Sequence, residues 1–170
     1  MRLTSTRPFV EAAFREGLRA SDFEPLARAF EQVPSLAQAL DSPLLTADDK
    51  ASLIEPLGLE NKTKGAVVLL GTVGLARQLY AVMEGLADRA VRFEGGDVGL
   101  LEVAYPLKEE QVQALAQKMA RLLQVKKVVL RTVVTPELKG GFRLTAGGLT
   151  YDYSLAGMVR DMKAYLGEVE

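Results

Sequence analysis

The chain contains no cysteine and no histidine among its 170 residues. The absence of cysteine excludes disulfide bonds, thiolate nucleophiles and the usual cysteine-based zinc and iron–sulfur sites. The absence of histidine removes the side chain best suited to proton transfer near neutral pH. Any chemistry would depend on a carboxylate, lysine, tyrosine or serine side chain, and we expect no catalytic residue, no bound metal and no cofactor.

The chain also lacks an excess of charge of either sign and a long apolar run. It has 21 lysine and arginine residues against 22 aspartate and glutamate residues, which gives a net charge of -1. No basic patch favours nucleic acid. The longest apolar stretches, such as residues 66–70, are far shorter than the roughly twenty residues that span a bilayer. We therefore expect a globular protein that neither binds nucleic acid nor inserts directly into a membrane.

The first half of the chain has the apolar periodicity and the cap residues of helices. The run from Ser21 to Glu24 predicts a capping box, while Thr6 and Thr46 are predicted to cap two other helices. The spacing of apolar residues predicts the remaining helices. Together these signals predict an all-α bundle of about six helices, at about 6–18, 24–33, 35–40, 47–57, 62–73 and 75–92.

Beyond the sequence E-G-G-D at residues 94–97 the periodicity changes to that of strands. A strand, an amphipathic helix, a strand, a hairpin and a final helix follow, and strands joined by a helix in one sheet should be parallel. We predict an α+β protein with an N-terminal all-α helical bundle at 1–94 and a small α/β domain of strand-helix-strand-hairpin-helix order at 95–170. The β-branched run 128–134 is predicted to be a buried strand.

Two glycine pairs punctuate the second half of the chain. They are predicted to form structural turns, because neither belongs to a phosphate-binding pattern and each lies where a strand must bend or reverse. Gly147-Gly148 suits a two-residue hairpin turn, and Gly140-Gly141 follows the proline that ends a strand. Asp152 and Ser154 could be drawn as a nucleophile and its orienting group, but helix capping explains both better.

Helices one and five are predicted to have apolar residues on more than one side. In helix one, Phe9, Ala12 and Ala13 lie off the main apolar stripe, and in helix five Val68 and Leu69 do. Such helices are either central in a bundle or bind a second surface, and the sequence alone leaves both interpretations open.

The final helix has one apolar face, which includes Met158 and Met162. A methionine-bearing stripe of this kind is more often part of a core than an adaptable surface for a partner. Its other members complete the face at helical spacing: Leu155, Val159, Tyr165 and Leu166.

Four segments, taken in order, resemble one known family. The most informative is V-V-T-P-E-L-K-G-G-F-R-L at 133–144, which continues through the second glycine pair to Y-D-Y-S-L at 151–155. The others are at 41–50, 75–91 and 103–111. In this order they resemble the delta subunit family of F-type ATP synthases, which includes the mitochondrial oligomycin-sensitivity-conferring protein. This chain departs from the family pattern at four positions. Lys108 and Thr135 concern local capping, and Gly71 and Gly74 concern one junction.

The resemblance implies a non-catalytic stator subunit, present in one copy per complex. In that family helices one and five form a groove for the N-terminal helices of the alpha subunits, which implies a site at Phe9, Ala12, Ala13, Val68 and Leu69. The C-terminal domain holds the b subunits of the peripheral stalk, which implies a contact at Met158 and Met162. We expect a peripheral location at the cytoplasmic face of a bacterial inner membrane, or alternatively a mature organellar form.

Two other functions remain open from the residues alone. One is a two-domain enzyme or small-ligand regulator with a site at the interdomain Gly95-Gly96 junction, although the lack of histidine, cysteine and a phosphate motif argues against it. The other is a generic adaptor that uses the same groove for an unrelated helix.

Overall fold

The computed structural model describes residues 5–165. The chain divides into two compact units, Met1–Ala90 and Val91–Glu170. The division lies within a helix, shortly before the predicted linker at 94–97.

The first unit is a bundle of α-helices joined by short turns. Three of the turns are 3-10 helices, at Ala20–Phe23, Glu55–Leu57 and Ala76–Gln78. The α-helices are α1 (Arg7–Arg15), α2 (Glu24–Gln32), α3 (Ser35–Leu40), α4 (Ala47–Ile54), α5 (Asn61–Thr72) and α6 (Leu79–Phe93).

Helix capping follows the sequence at α4 and departs from it at α2. Thr46 and Asp49 form a reciprocal capping box, because the Thr46 hydroxyl oxygen accepts from the Asp49 N–H at 3.2 Å and the Asp49 carboxylate accepts from the Thr46 N–H at 2.9 Å. The predicted box from Ser21 to Glu24 is wrong. Residues 21–23 fall in a 3-10 turn and Glu24 is the first residue of α2, and the Asp22 carboxylate instead accepts from the Arg19 N–H at 2.8 Å. Thr6 stands at the N-cap of α1 without a side-chain cap bond.

The core of the first unit draws side chains from all six helices. Ten large side chains are less than 2% exposed: Phe23, Leu26, Leu40, Ile54, Val67, Leu70, Leu75, Leu79, Val82 and Leu86. Burying such a set supplies the main stabilisation of a small domain. This cluster lies wholly within the first unit.

The second unit is a four-stranded sheet with one helix packed on it. Strand order is β2-β1-β3-β4, with β1 parallel to β2 and antiparallel to β3, and β3 antiparallel to β4. The elements are β1 (Asp97–Val103), α7 (Glu109–Leu122), β2 (Val128–Val134), β3 (Phe142–Ala146), β4 (Leu149–Asp152) and α8 (Leu155–Tyr165). At the start of α7 the Lys108 N–H donates to the Gln111 side-chain oxygen at 3.0 Å, which is the half of a capping box that needs no Ser or Thr side chain at Lys108.

The core of the second unit lies between α7 and one face of the sheet. Leu101, Val103 and Leu144 are almost fully buried there, next to Met119 of α7. The prediction that β2 is a buried strand is wrong, because β2 lies at the edge of the sheet and α7 covers only one of its two faces. Its alternate side chains point away from α7, and Val129 and Val133 are more than 40% exposed.

Candidate partner-binding surfaces

An apolar groove runs between α1 and α5. It encloses about 230 Å³. Its lining comes from the two helices and the turn after α1: Phe9, Ala12, Ala13, Glu16, Leu18, Lys62, Gly65, Ala66 and Leu69. Small side chains on facing helices leave this space open, and a helix can approach closely where side chains are this small.

The structure brings four of the five residues predicted for this surface to the groove. Phe9 and Ala13 are only 4% and 5% exposed, so they form its floor and also belong to the core. Ala12 is exposed, and Leu69 is half exposed on the α5 side. Val68 packs against the core and does not line the groove.

Sequence reasoning missed the residues that give the groove its shape and charge. Gly65 lies within α5, and apart from the adjoining helix backbone no atom of residues 5–165 is within 4 Å of the position that a Cβ would occupy, so a side chain there would extend into open space. Glu16 and Lys62 add one charge of each sign to an otherwise apolar lining. A glycine in the middle of a predicted helix was the available signal, because such a residue weakens a helix and needs a packing or functional reason.

Contacts on the side of α1 that faces away from the groove fix this helix in the bundle. The Arg89 guanidinium of α6 is 3.2 Å from the Glu11 carboxylate and lies 5.1 Å from the centre of the Phe14 ring. The Arg19 guanidinium also stacks on that ring, at 4.5 Å. Cations over an aromatic face contribute about 0.5–1 kcal/mol at exposed sites, so these contacts help to hold the groove wall in place.

A second apolar surface lies on α8 in the other unit. We call it the α8 strip, and its five members are between 50% and 91% exposed: Leu155, Met158, Val159, Met162 and Tyr165. The interpretation of Met158 and Met162 as core residues is therefore wrong. Leu166, predicted for the same face, lies outside the described residues.

The glycines predicted as turns occupy positions with specific backbone requirements. Gly147 and Gly148 connect β3 to β4 with φ of +59° and +76°, the pair of positive angles that a type I′ hairpin turn needs. Gly141 has φ of +72°, and a Cβ there would lie 2.1 Å from the carbonyl oxygen of Tyr153. At Gly140 a Cβ would lie 2.7 Å from the Leu155 side chain, so this bend lies directly against the start of α8.

Within residues 5–165, no group of three or more aspartate or glutamate side chains is placed to hold a metal ion. None of the helices in this range is individually long and apolar enough to cross a membrane, although α5 and the segment Ala76–Phe93 meet the criteria jointly, with a 114° bend between them.

The fold is thus a helical unit followed by a mixed α/β unit, each with an apolar surface open to solvent. The sequence profile of the ATP synthase delta (OSCP) subunit family matches residues 10–166. The chain belongs to this family.

Individual relatives agree along almost the whole chain. The chain is 29% identical to the ATP synthase subunit delta of Ectopseudomonas mendocina (strain ymp), over 94% of each sequence. It is 27% identical to the ATP synthase subunit delta of Prochlorococcus marinus (strain MIT 9215), over 92% of this chain and 93% of the relative. Its fold resembles that of a chain in the cryo-EM structure of the Toxoplasma gondii mitochondrial ATP synthase hexamer, with a TM-score of 0.64, 18% identity, and 96% and 98% of the two chains covered.

Proposed function

We propose that this delta-family subunit is a non-catalytic component of the stator. Its helical unit would bind the N-terminal helices of alpha subunits in the catalytic head, and its α/β unit would bind the C-terminal helices of the b subunits in the peripheral stalk. Rotation of the central shaft drags the head around unless a static arm holds it. The subunit would therefore act through affinity and stiffness, at the cytoplasmic face of a bacterial inner membrane.

The groove between α1 and α5 carries this proposal. Recognition of an amphipathic helix needs an exposed apolar strip on the receiving surface. The groove provides a buried apolar floor at Phe9 and Ala13, an exposed apolar wall at Leu69, and an open space over Gly65. These are the properties of a surface that receives a helix carrying large apolar side chains.

The α8 strip supports the second half of the proposal. Its members are apolar and project into solvent, on a different compact unit from the groove. Flexible methionine side chains such as Met158 and Met162 adapt to an irregular partner surface. We assign this strip to the b subunits.

The groove assignment can be tested with Leu69→Asp and a matched control. Leu69 is 50% exposed in the groove, whereas Leu53 is 41% exposed on α4 and does not line it. Leu69→Asp should lower the affinity for a peptide from the N-terminal end of the alpha chain on the order of tenfold or more, because a carboxylate would be desolvated by the bound helix. Leu53→Asp should leave the affinity within about twofold. Equal effects of the two substitutions would refute the groove assignment.

The whole proposal is tested by co-purification of the wild-type chain with alpha and b subunits. Recovery of both partners in one complex is the expected result. Recovery of a helical partner other than the alpha subunit, through a Leu69-dependent contact, would favour the generic adaptor instead.

A further inference from the structure

The carboxylate of Asp152, the last residue of β4, connects several elements of the second unit. One oxygen accepts from the N–H and from the hydroxyl of Ser154, at 3.0 and 2.6 Å. The other accepts from the Nε and Nη2 atoms of Arg143 on β3, both at 3.2 Å. The Arg160 guanidinium of α8 lies 3.7 Å from this second oxygen.

These contacts belong to a row of alternating charges. Arg143 also lies 3.7 Å from the carboxylate of Glu102 on β1. The row therefore runs from β1 across β3 and β4 to α8: Glu102, Arg143, Asp152 and Arg160. Pairs in such a network share the entropic cost of ordering their side chains, so the network is worth more than isolated surface pairs.

The first turn of α8 rests directly on Asp152. Ser154 is fully buried, and its hydroxyl oxygen accepts from the N–H of Gly157 at 2.9 Å, which caps the helix. A Cβ on Gly157 would lie 2.8 Å from the carboxyl carbon of Asp152. Glycine at this position allows the helix backbone to approach the carboxylate.

Apolar packing gives α8 little further support. Gly157 is its one buried residue among those of 155–165, while the α8 strip is at least half exposed. Burial of apolar area normally fixes the orientation of a surface helix. The polar contacts of the first turn therefore contribute most to the orientation of α8, and they include the Asp152 and Ser154 bonds and the Leu155 N–H, which donates to the Gly140 carbonyl oxygen at 3.0 Å.

We propose that Asp152 is the residue that positions α8 and so presents the α8 strip to its partner. This inference rests on the proposed function, in which that partner is the b subunit. Charge-assisted hydrogen bonds are shorter and stronger than neutral ones, and this carboxylate makes them both to the neighbouring strand and to the cap of the helix. The Ser154 bonds, with a further contribution from Arg143, lower the pKa of Asp152, so the carboxylate is charged at neutral pH.

The test compares Asp152→Asn with Asp161→Asn in the full chain. Both substitutions remove one negative charge and one partner of Arg160, but among residues 5–165 Asp161 bonds only to Arg160, its neighbour on the same helix. Asp152→Asn should speed hydrogen exchange of the first-turn amides of α8 on the order of tenfold, without affecting β1 amides. It should also weaken binding of a peptide from the C-terminal end of the b chain on the order of tenfold. Asp161→Asn should change neither quantity more than about twofold.

The outcomes separate this inference from the proposed function. Unchanged α8 exchange in Asp152→Asn overturns the inference, and so does faster exchange with unchanged affinity. If the wild-type chain does not bind the b peptide, the proposed partner is wrong, and exchange alone decides whether Asp152 holds α8. Should Asp152→Asn fail to fold, Ser154→Ala replaces it as the test. This substitution removes the hydroxyl that caps α8 and bonds to Asp152 but keeps the ion pair between Asp152 and Arg143. It should also speed hydrogen exchange in the first turn of α8, and unchanged exchange would overturn the inference.

Discussion

The ammonium group of Lys50 on α4 donates a hydrogen bond to the carbonyl oxygen of Gly71, in the last turn of α5, at 3.1 Å. Lys50 is only 3% exposed. A cation at a helix C-terminus also interacts favourably with the helix dipole. Gly71 packs tightly on its other side, where a Cβ would lie 2.5 Å from the carbonyl oxygen of Leu40. Two neighbouring helices thus hold the C-terminal end of α5, the helix that forms one wall of the groove.

Lys50→Met should destabilise the protein by about 1–3 kcal/mol, because the hydrocarbon stem is kept while the charge-assisted bond and the dipole interaction are lost. Chemical denaturation measures this difference. The same substitution at exposed Lys62 on α5 is the control and should stay within about 0.5 kcal/mol of wild type. If Lys50→Met leaves the free energy of unfolding unchanged, the buried ammonium contributes no net stability.

Gly65→Leu should separate stability from binding. Glycine in a helix interior costs roughly 0.5–1 kcal/mol relative to alanine, and a Cβ at Gly65 meets no atom within 4 Å. The leucine variant should therefore be at least as stable as wild type, yet it should weaken binding of the alpha-chain peptide because its side chain fills the groove. Thermal denaturation and peptide titration measure the two effects. Gly65→Ala is the control, with similar stabilisation and a much smaller loss of affinity. If Gly65→Leu binds the peptide as tightly as wild type does, the peptide binds elsewhere.

Features set by neighbouring residues could be predicted from the sequence. The capping box of Thr46 and Asp49 and the hairpin turn at Gly147-Gly148 depend on backbone chemistry within a few residues. The order of helices and strands likewise follows from apolar periodicity. The predicted box at Ser21 failed because a 3-10 turn and a helix start look alike in sequence, and here the Asp22 carboxylate bonds to the Arg19 N–H instead.

Features that depend on distant parts of the chain could not be predicted. The β-branched sequence of β2 suits a strand covered on one face or on both, and Val129 is exposed because it lies on the face that α7 does not cover, as does Leu100 of central β1. The apolar face of α8 likewise suits a core or a free surface. Lys62 and Gly65 join the groove because α5 faces α1, an arrangement that no local pattern encodes. For the same reason Phe9 was predicted as a contact residue but forms the buried floor.

Gly141→Ala adds only one methyl group, but it should be among the most destabilising substitutions of this size in the second unit. Its φ of +72° is unfavourable for alanine, and the added Cβ would lie 2.1 Å from the carbonyl oxygen of Tyr153, which is backbone and cannot rotate away. We expect a loss of several kcal/mol or failure to fold, measured by denaturation. Gly148→Ala is the comparison: its φ is also positive, but no atom lies within 4 Å of the new Cβ. It should cost only about 1–2 kcal/mol. Similar losses in both variants would mean that backbone conformation, and not the contact with Tyr153, sets the cost.

The capping box of α4 should make stability depend on acid in a defined direction. The hydrogen bond from the Thr46 hydroxyl, followed by that from its N–H, lowers the pKa of Asp49 below the ordinary value of 3.8. A carboxyl group whose pKa is lower in the folded state stabilises the protein above the unfolded value, and this stabilisation disappears as the pH falls through the folded value. Asp49→Ala should therefore be less stable than wild type at neutral pH, and the difference should shrink as the pH falls below 3.8.

Asp48→Ala is the control, because Asp48 is also in the first turn of α4 but has no role in the box. Urea denaturation at a series of pH values measures both differences. A wild-type advantage over Asp49→Ala that persists unchanged into strong acid would show that the box stabilises α4 by some means other than the charged carboxylate.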